Sequence, residues 1–124
     1  MRCPCRKKSE TLVYESCCQP YHAGLRHADS AEALMRSRYA AFALRDAGYL
    51  SRTWHRSTRP PHIDFQPGQE WLLLRVVSSN QSEKEATVEF VARSRIGGAS
   101  QSLHEISRFT REDGQWYYVD GVIK

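Results

Sequence analysis

All four cysteines of this 124-residue chain fall between positions 3 and 18, in the opening stretch MRCPCRKKSETLVYESCCQPYH, and no other cysteine follows. They stand as Cys3 and Cys5, then Cys17 and Cys18, a C-x-C-x11-C-C spacing. Two such pairs on a turn and its return can set four thiolates around Zn²⁺ at ~2.3 Å in a tetrahedron, which leaves no open position for water. A site of that kind is structural. Four thiolates repel one another unless a dication sits among them, and Arg2, Arg6, Lys7 and Lys8 would ease the remaining negative charge. His22, four residues past Cys18, could replace one cysteine as ligand. A redox pair or unrelated free thiols are the other readings of the same spacing.

Length and composition set the frame for this knot. With 40% hydrophobic and 26% charged residues, the chain supports one ordinary globular core plus a small appendage. The start MRCPCRKK carries no apolar run of signal-peptide length, and no stretch approaches the ~20 apolar residues of a membrane span. The expectation is a cytoplasmic protein with no membrane partner, where clustered cysteines hold metal more readily than they form disulfides.

Beyond the knot, Asp29 or Ser30 can cap a helix through AEALMRSRYAAFALRD, a run of good helix formers with Glu32 in its first turn. A shorter helix fits AGYLSRTW, and RPPHIDFQPG reads as a connection because its prolines interrupt any regular element. Four strand candidates follow, EWLLLRVVSS, EATVEFVARSR, SLHEISRFTR and QWYYVDGVI, separated by NQSEK, IGGAS and EDG. Helices first and an antiparallel meander afterwards give an α+β layered design.

The residues also carry a family likeness. Cys3-Pro4-Cys5 and Cys17-Cys18 resemble the SEC-C motif, a small zinc-binding element, although the connection RKKSETLVYES is longer than usual and lacks glycine. CCQPYHAG, AEALMRSRYAAF, YLSRTWH, HEISRF and GQWYYVDG follow in the order seen in the YchJ-like family of bacterial proteins. That resemblance covers nearly the whole chain. It implies an N-terminal SEC-C element over residues 1–28 and a nuclear transport factor 2-like domain over 29–124, a cone of curved antiparallel sheet packed on helices. It implies no biochemical activity.

Side-chain periodicity places charge where a core is expected. Ala31, Leu34, Met35, Arg38 and Phe42 share one face of the long helix, so Arg38 lies within an apolar stripe. On the third strand, Leu103, Glu105, Ser107 and Phe109 share a face by alternation. Arg38 and Glu105 are therefore expected to pair across the helix–sheet interface, with Tyr39, Trp54 and His55 lining the same concavity. Such a concavity is either a ligand pocket or a salt bridge that fixes how helix and sheet dock.

Residues 36–59 hold Arg36, Arg38, Arg45, Arg52, Arg56 and Arg59 against Asp46 alone, a local balance of +5 in a chain whose total is +4. Two readings follow. In one, the zinc element and this basic surface serve as a binding or adaptor module for a protein or nucleic-acid partner, and the cone is filled. In the other, the cone is the pocket of a small enzyme, resembling the isomerases and hydratases of the same fold, and should show an unpaired carboxylate or histidine in a deep cavity. No nucleophile elbow, phosphate loop or catalytic zinc spacing occurs, and the adaptor is the expectation.

Overall fold

The computed structural model describes residues 1–5 and 12–124; Arg6, Lys7 and Lys8, expected beside the thiolates, lie outside these. A 3₁₀ turn at Tyr14–Ser16 leads into the short helix α1 (Gln19–His22), then α2 (Ala31–Leu44) and α3 (Ala47–Arg52). Four strands follow, β1 (Gln69–Gln81), β2 (Glu85–Ile96), β3 (Ala99–Glu112) and β4 (Gln115–Ile123). They form one antiparallel sheet in the order β1-β2-β3-β4. This is the α+β design that the pattern predicts, with helices packed on a curved sheet.

Local chemistry explains the boundaries. Of the two candidate caps, Ser30 does the work, its Oγ accepting from Ala33 N at 3.1 Å. The helix ends where Arg45 turns left-handed, and Asp46 caps α3 by accepting from Tyr49 N at 3.1 Å. Gly97-Gly98 and Asp113-Gly114 join the later strands with positive φ at both residues of each pair, the geometry of tight hairpins. Trp71, Val76 and Arg108 mark breaks in the strand register that curve the sheet.

The inward row of β2, Ala86, Val88, Phe90, Ala92 and Ser94, is buried beneath α2, and Leu34, Met35 and Tyr39 of α2 and Tyr49 and Leu50 of α3 are also buried. Trp116 on β4 completes this core. The knot docks on the helices through directed bonds. Arg36 Nη1 donates to Cys5 O at 3.0 Å, His22 Nε2 donates to Ser37 O at 2.8 Å, and Arg52 Nη2 donates to His22 O at 2.6 Å.

Candidate functional site

Two sites emerge, one of sulfur and one in the cone. The Sγ atoms of Cys3, Cys5, Cys17 and Cys18 all lie within 4.8 Å of one another, and all four residues are buried. The recorded separations are 3.6 Å for Cys3–Cys5, 3.6 Å for Cys5–Cys17, 3.7 Å for Cys18–Cys5 and 3.9 Å for Cys17–Cys18. Four sulfurs each ~2.3 Å from a central ion in a tetrahedron stand about 3.8 Å apart, so the cluster already has the edge lengths of a metal–thiolate site. A disulfide would need sulfurs near 2.05 Å, and all four cysteines are free.

Without a cation the protons of the cluster are unevenly held. Hydrogen bonding with Cys18 and then with Cys5 holds the Cys3 thiol far below its ordinary range. Hydrogen bonding to Cys3 and to Cys5 pushes Cys18 up, and burial adds to this. Four anionic sulfurs this close together require a dication in their midst. The donor set therefore fits a metal.

His22 is not part of it. Its Nδ1 accepts from Tyr14 OH at 2.7 Å while Nε2 is bonded to Ser37 O, and its ring packs 4.6 Å from that of Tyr49. The histidine braces the knot against α2 instead of replacing a thiolate.

The second site lies between α2 and the sheet, a cavity of about 200 Å³. Of the residues singled out in the sequence, Arg38, Tyr39, Trp54 and Glu105 line it. Phe42, Trp71, Phe90, Phe109 and Tyr118 add further aromatic rings to its wall. His55 does not line it. Trp54 forms a single parallel bridge with Tyr118, and the next residue faces the other way. His55 instead donates its N–H to Tyr118 O at 2.7 Å, and its ring joins Glu112 and Ser57 along a separate groove.

The expected Arg38–Glu105 ion pair is absent among the described residues, although both groups face the cavity. Arg38 is only 5% exposed. Its Nη1 donates to Leu50 O at 2.9 Å and to Thr53 Oγ1 at 2.7 Å, and its guanidinium carbon lies 4.6 Å from the Tyr118 ring centre and 5.1 Å from that of Trp54. The helix-end acceptors of α3 and two aromatic faces thus solvate the charge that a carboxylate was expected to meet. Burial lowers Arg38 to about 10, which leaves it cationic at neutral pH.

Glu105 is held from the sheet. Ser107 Oγ donates to its Oε2 at 2.6 Å, and Tyr118 OH approaches the same oxygen at 3.5 Å. Both bonds go to Oε2, so Oε1 has no protein partner among the described residues. Burial, then the nearby Glu105 charge, raises Tyr118 to about 12 and keeps it a neutral phenol. The carboxylate lies over Gly121: a Cβ there would stand 2.9 Å from Glu105 Cγ and closer still to its Cδ and Oε2.

Sequence reasoning placed Ser107 on the Glu105 face but overlooked Tyr118, Thr53 and Gly121. Simple alternation in β4 puts Trp116, Tyr118 and Asp120 on one face. The register break opposite Arg108 and Phe109 turns Asp120 outward to Arg108, with contacts of 2.6 Å, and brings Gly121 beside Ser107.

The six arginines of 36–59 also have internal roles. Arg36, Arg38, Arg45, Arg52 and Arg59 donate to backbone carbonyls of Cys5, Leu50, Gln69, His22 and Trp54, and Arg56 donates to the Glu112 carboxylate. Among the described residues no helix is long and apolar enough to cross a membrane.

Comparison with known proteins agrees with this architecture. Residues 30–121 match the family model described as the YchJ middle NTF2-like domain. A UPF0225 protein of Polaromonas naphthalenivorans is 48% identical over 129 residues, covering 96% of this chain and 95% of that protein. A UPF0225 protein of Streptomyces coelicolor is 47% identical over 122 residues, covering 96% and 93%. Among solved structures, a SEC-C motif containing protein from Rhodopseudomonas palustris superposes with a TM-score of 0.83 at 40% identity, covering 92% of this chain and 94% of its own. Another, from Psychrobacter arcticus, gives 0.80 at 32% identity and covers 98% and 82%.

Proposed function

The chain belongs to the YchJ family, and from that premise and the open cone we propose that it is a zinc-knotted protein that binds a small molecule between α2 and the sheet. The observation that carries this reading is the cavity of about 200 Å³ in which a buried cation and a carboxylate face the same space without meeting. A filled cone, which the adaptor reading requires, would leave no such volume. Apolar walls with a few convergent polar groups are the usual build of a small-molecule site.

Zinc is the metal that four thiolates in a tetrahedron favour, and a closed Cys₄ shell supplies cohesion and no reactive water. Cys3, Cys5, Cys17 and Cys18 would hold it. Its contribution here is positional: the knot bonds to Arg36 and Ser37, and the next residue of α2 is Arg38 in the cavity wall.

The test combines elemental analysis of reduced protein with a screen of small aromatic fragments followed by protein NMR. One zinc per chain and fragments that shift the signals of Tyr39, Trp71 and Leu103 are expected. Fully metallated protein in which no fragment moves those signals refutes the pocket. The adaptor alternative, recognition of a protein or nucleic-acid partner, would rest on the arginines of 36–59, and retention on heparin that is lost on raising the salt would speak for it.

A further inference from the structure

Three sites are left open by the proposed function: the His55–Glu112 groove, the exposed end of β4, and the polar corner of the cone. In the groove, Ser57 lies 2.7 Å from His55 Nδ1, but its own backbone N–H reaches the same nitrogen at 3.1 Å, so the contact closes a local turn. Val122 and Ile123 are exposed on β4, with nothing to say what covers them. The polar corner carries an inference.

Charge there is balanced but unmatched. Arg38 commits Nη1 to Leu50 O and Thr53 Oγ1, and its other nitrogens have no protein acceptor among the described residues. Glu105 commits Oε2 to Ser107 and Tyr118 and keeps Oε1 free of protein donors among those residues. A cationic ligand would meet Arg38, which already occupies the Trp54 and Tyr118 faces that an ammonium would use. An anionic ligand would meet Glu105. A neutral group with a donor beside an acceptor satisfies both at once, and a buried polar atom left unmatched is costly.

Size narrows the body of the ligand. An engineered apolar cavity of about 150 Å³ accepts benzene, so about 200 Å³ suits one six-membered ring with a small polar substituent. The surrounding rings of Phe42, Trp71, Phe90 and Phe109 favour a flat apolar body.

We propose that the cone takes a neutral, single-ring molecule carrying an amide- or lactam-type group, whose N–H donates to Glu105 Oε1 and whose carbonyl accepts from Arg38. This rests on the small-molecule reading above and adds the ligand's chemistry.

The experiment uses the full metallated chain and four probes of similar size: benzamide, benzoate, benzylamine and toluene. Affinities come from protein NMR titration, with the indole signals of Trp54 and Trp71 reporting occupation. Benzamide should bind about tenfold more tightly than each of the others, the value of one well-matched buried polar contact. In Glu105→Gln the corner keeps only the Arg38 charge, and preference should move toward benzoate by about the same factor. If toluene binds as well as benzamide, or a charged probe binds best to the native protein, the ligand class is wrong and the pocket stands. If no probe moves the indole signals, the pocket itself fails. The ranking on the native protein decides even where Glu105→Gln does not fold.

Discussion

Gly121→Ala tests the geometry of the cone by the sign of its effect. The φ of Gly121 is not in the left-handed region, so the backbone admits alanine. Within a strand that change should by itself stabilise by about 0.5–1 kcal/mol, through lower chain entropy. The structure predicts the reverse. The new methyl would stand 2.9 Å from Glu105 Cγ and inside the contact distance of Cδ and Oε2. Because Cγ is among the clashing atoms, rotation of the carboxyl alone does not relieve the overlap; Glu105 must change rotamer and lose the 2.6 Å bond from Ser107. A charge-assisted bond of that kind contributes about 1.5–3 kcal/mol. The net expectation is destabilisation of about 1–2 kcal/mol in urea unfolding at unchanged m-value. Glu105→Ala removes every atom that collides, so Gly121→Ala in that background should be neutral or stabilising. The resulting coupling should be about 2 kcal/mol in a double-mutant cycle. Additivity, or a single Gly121→Ala protein more stable than the native one, refutes the placement of Glu105 over β4.

Thr53→Val keeps the shape of a buried side chain but removes an acceptor of the Arg38 charge, and should cost about 1.5–3 kcal/mol by denaturant unfolding. Cys17→Ser should abolish stoichiometric zinc and lower the Tm, measured by elemental analysis and calorimetry, with the loss of metal and of fold coupled. Asp120 is held below its ordinary value of 3.8 by the hydrogen bonds and charge of Arg108. Its pKa is depressed on folding, so its small contribution is present above the unfolded value and lost as pH falls through the folded one; NMR titration of the carboxyl should show this, and Arg108→Gln should return it to normal.

Much of the architecture is legible because its signals are local. The Ser30 cap, the turn pairs Gly97-Gly98 and Asp113-Gly114 and the alternation of β2 each depend on residues a few positions apart. The cysteine cluster is legible for a different reason: a thiol is rare enough that four within sixteen residues restrict what they can do. What escapes is any contact set by a break in period. Alternation identifies Glu105 and Ser107 as neighbours on β3, but nothing in QWYYVDGVI announces that the strand slips between Tyr118 and Asp120. That slip decides that Gly121 lies beneath the carboxylate. His55 is misplaced on the same ground, since a single bridge at Trp54 separates it from the cavity.

The Arg38 case shows why an inward charge did not require an opposite one. A buried guanidinium needs acceptors, and a carboxylate is only one source of them. The last turn of α3 offers Leu50 O, a carbonyl near a helix C-terminus, where the partial negative charge of the helix already favours a cation. Thr53 Oγ1 accepts from Arg38 while donating to Tyr49 O at 2.7 Å, so its hydroxyl relays the charge onto the same helix end. Two ring faces cover the guanidinium plane and leave its remaining N–H groups directed at the cavity. Arg38 is thereby solvated without Glu105, and this frees the carboxylate to face the cavity. Had the two paired directly, helix and sheet would be locked together and the corner would be chemically closed. Their separation leaves the cone with polar groups directed at something other than the protein.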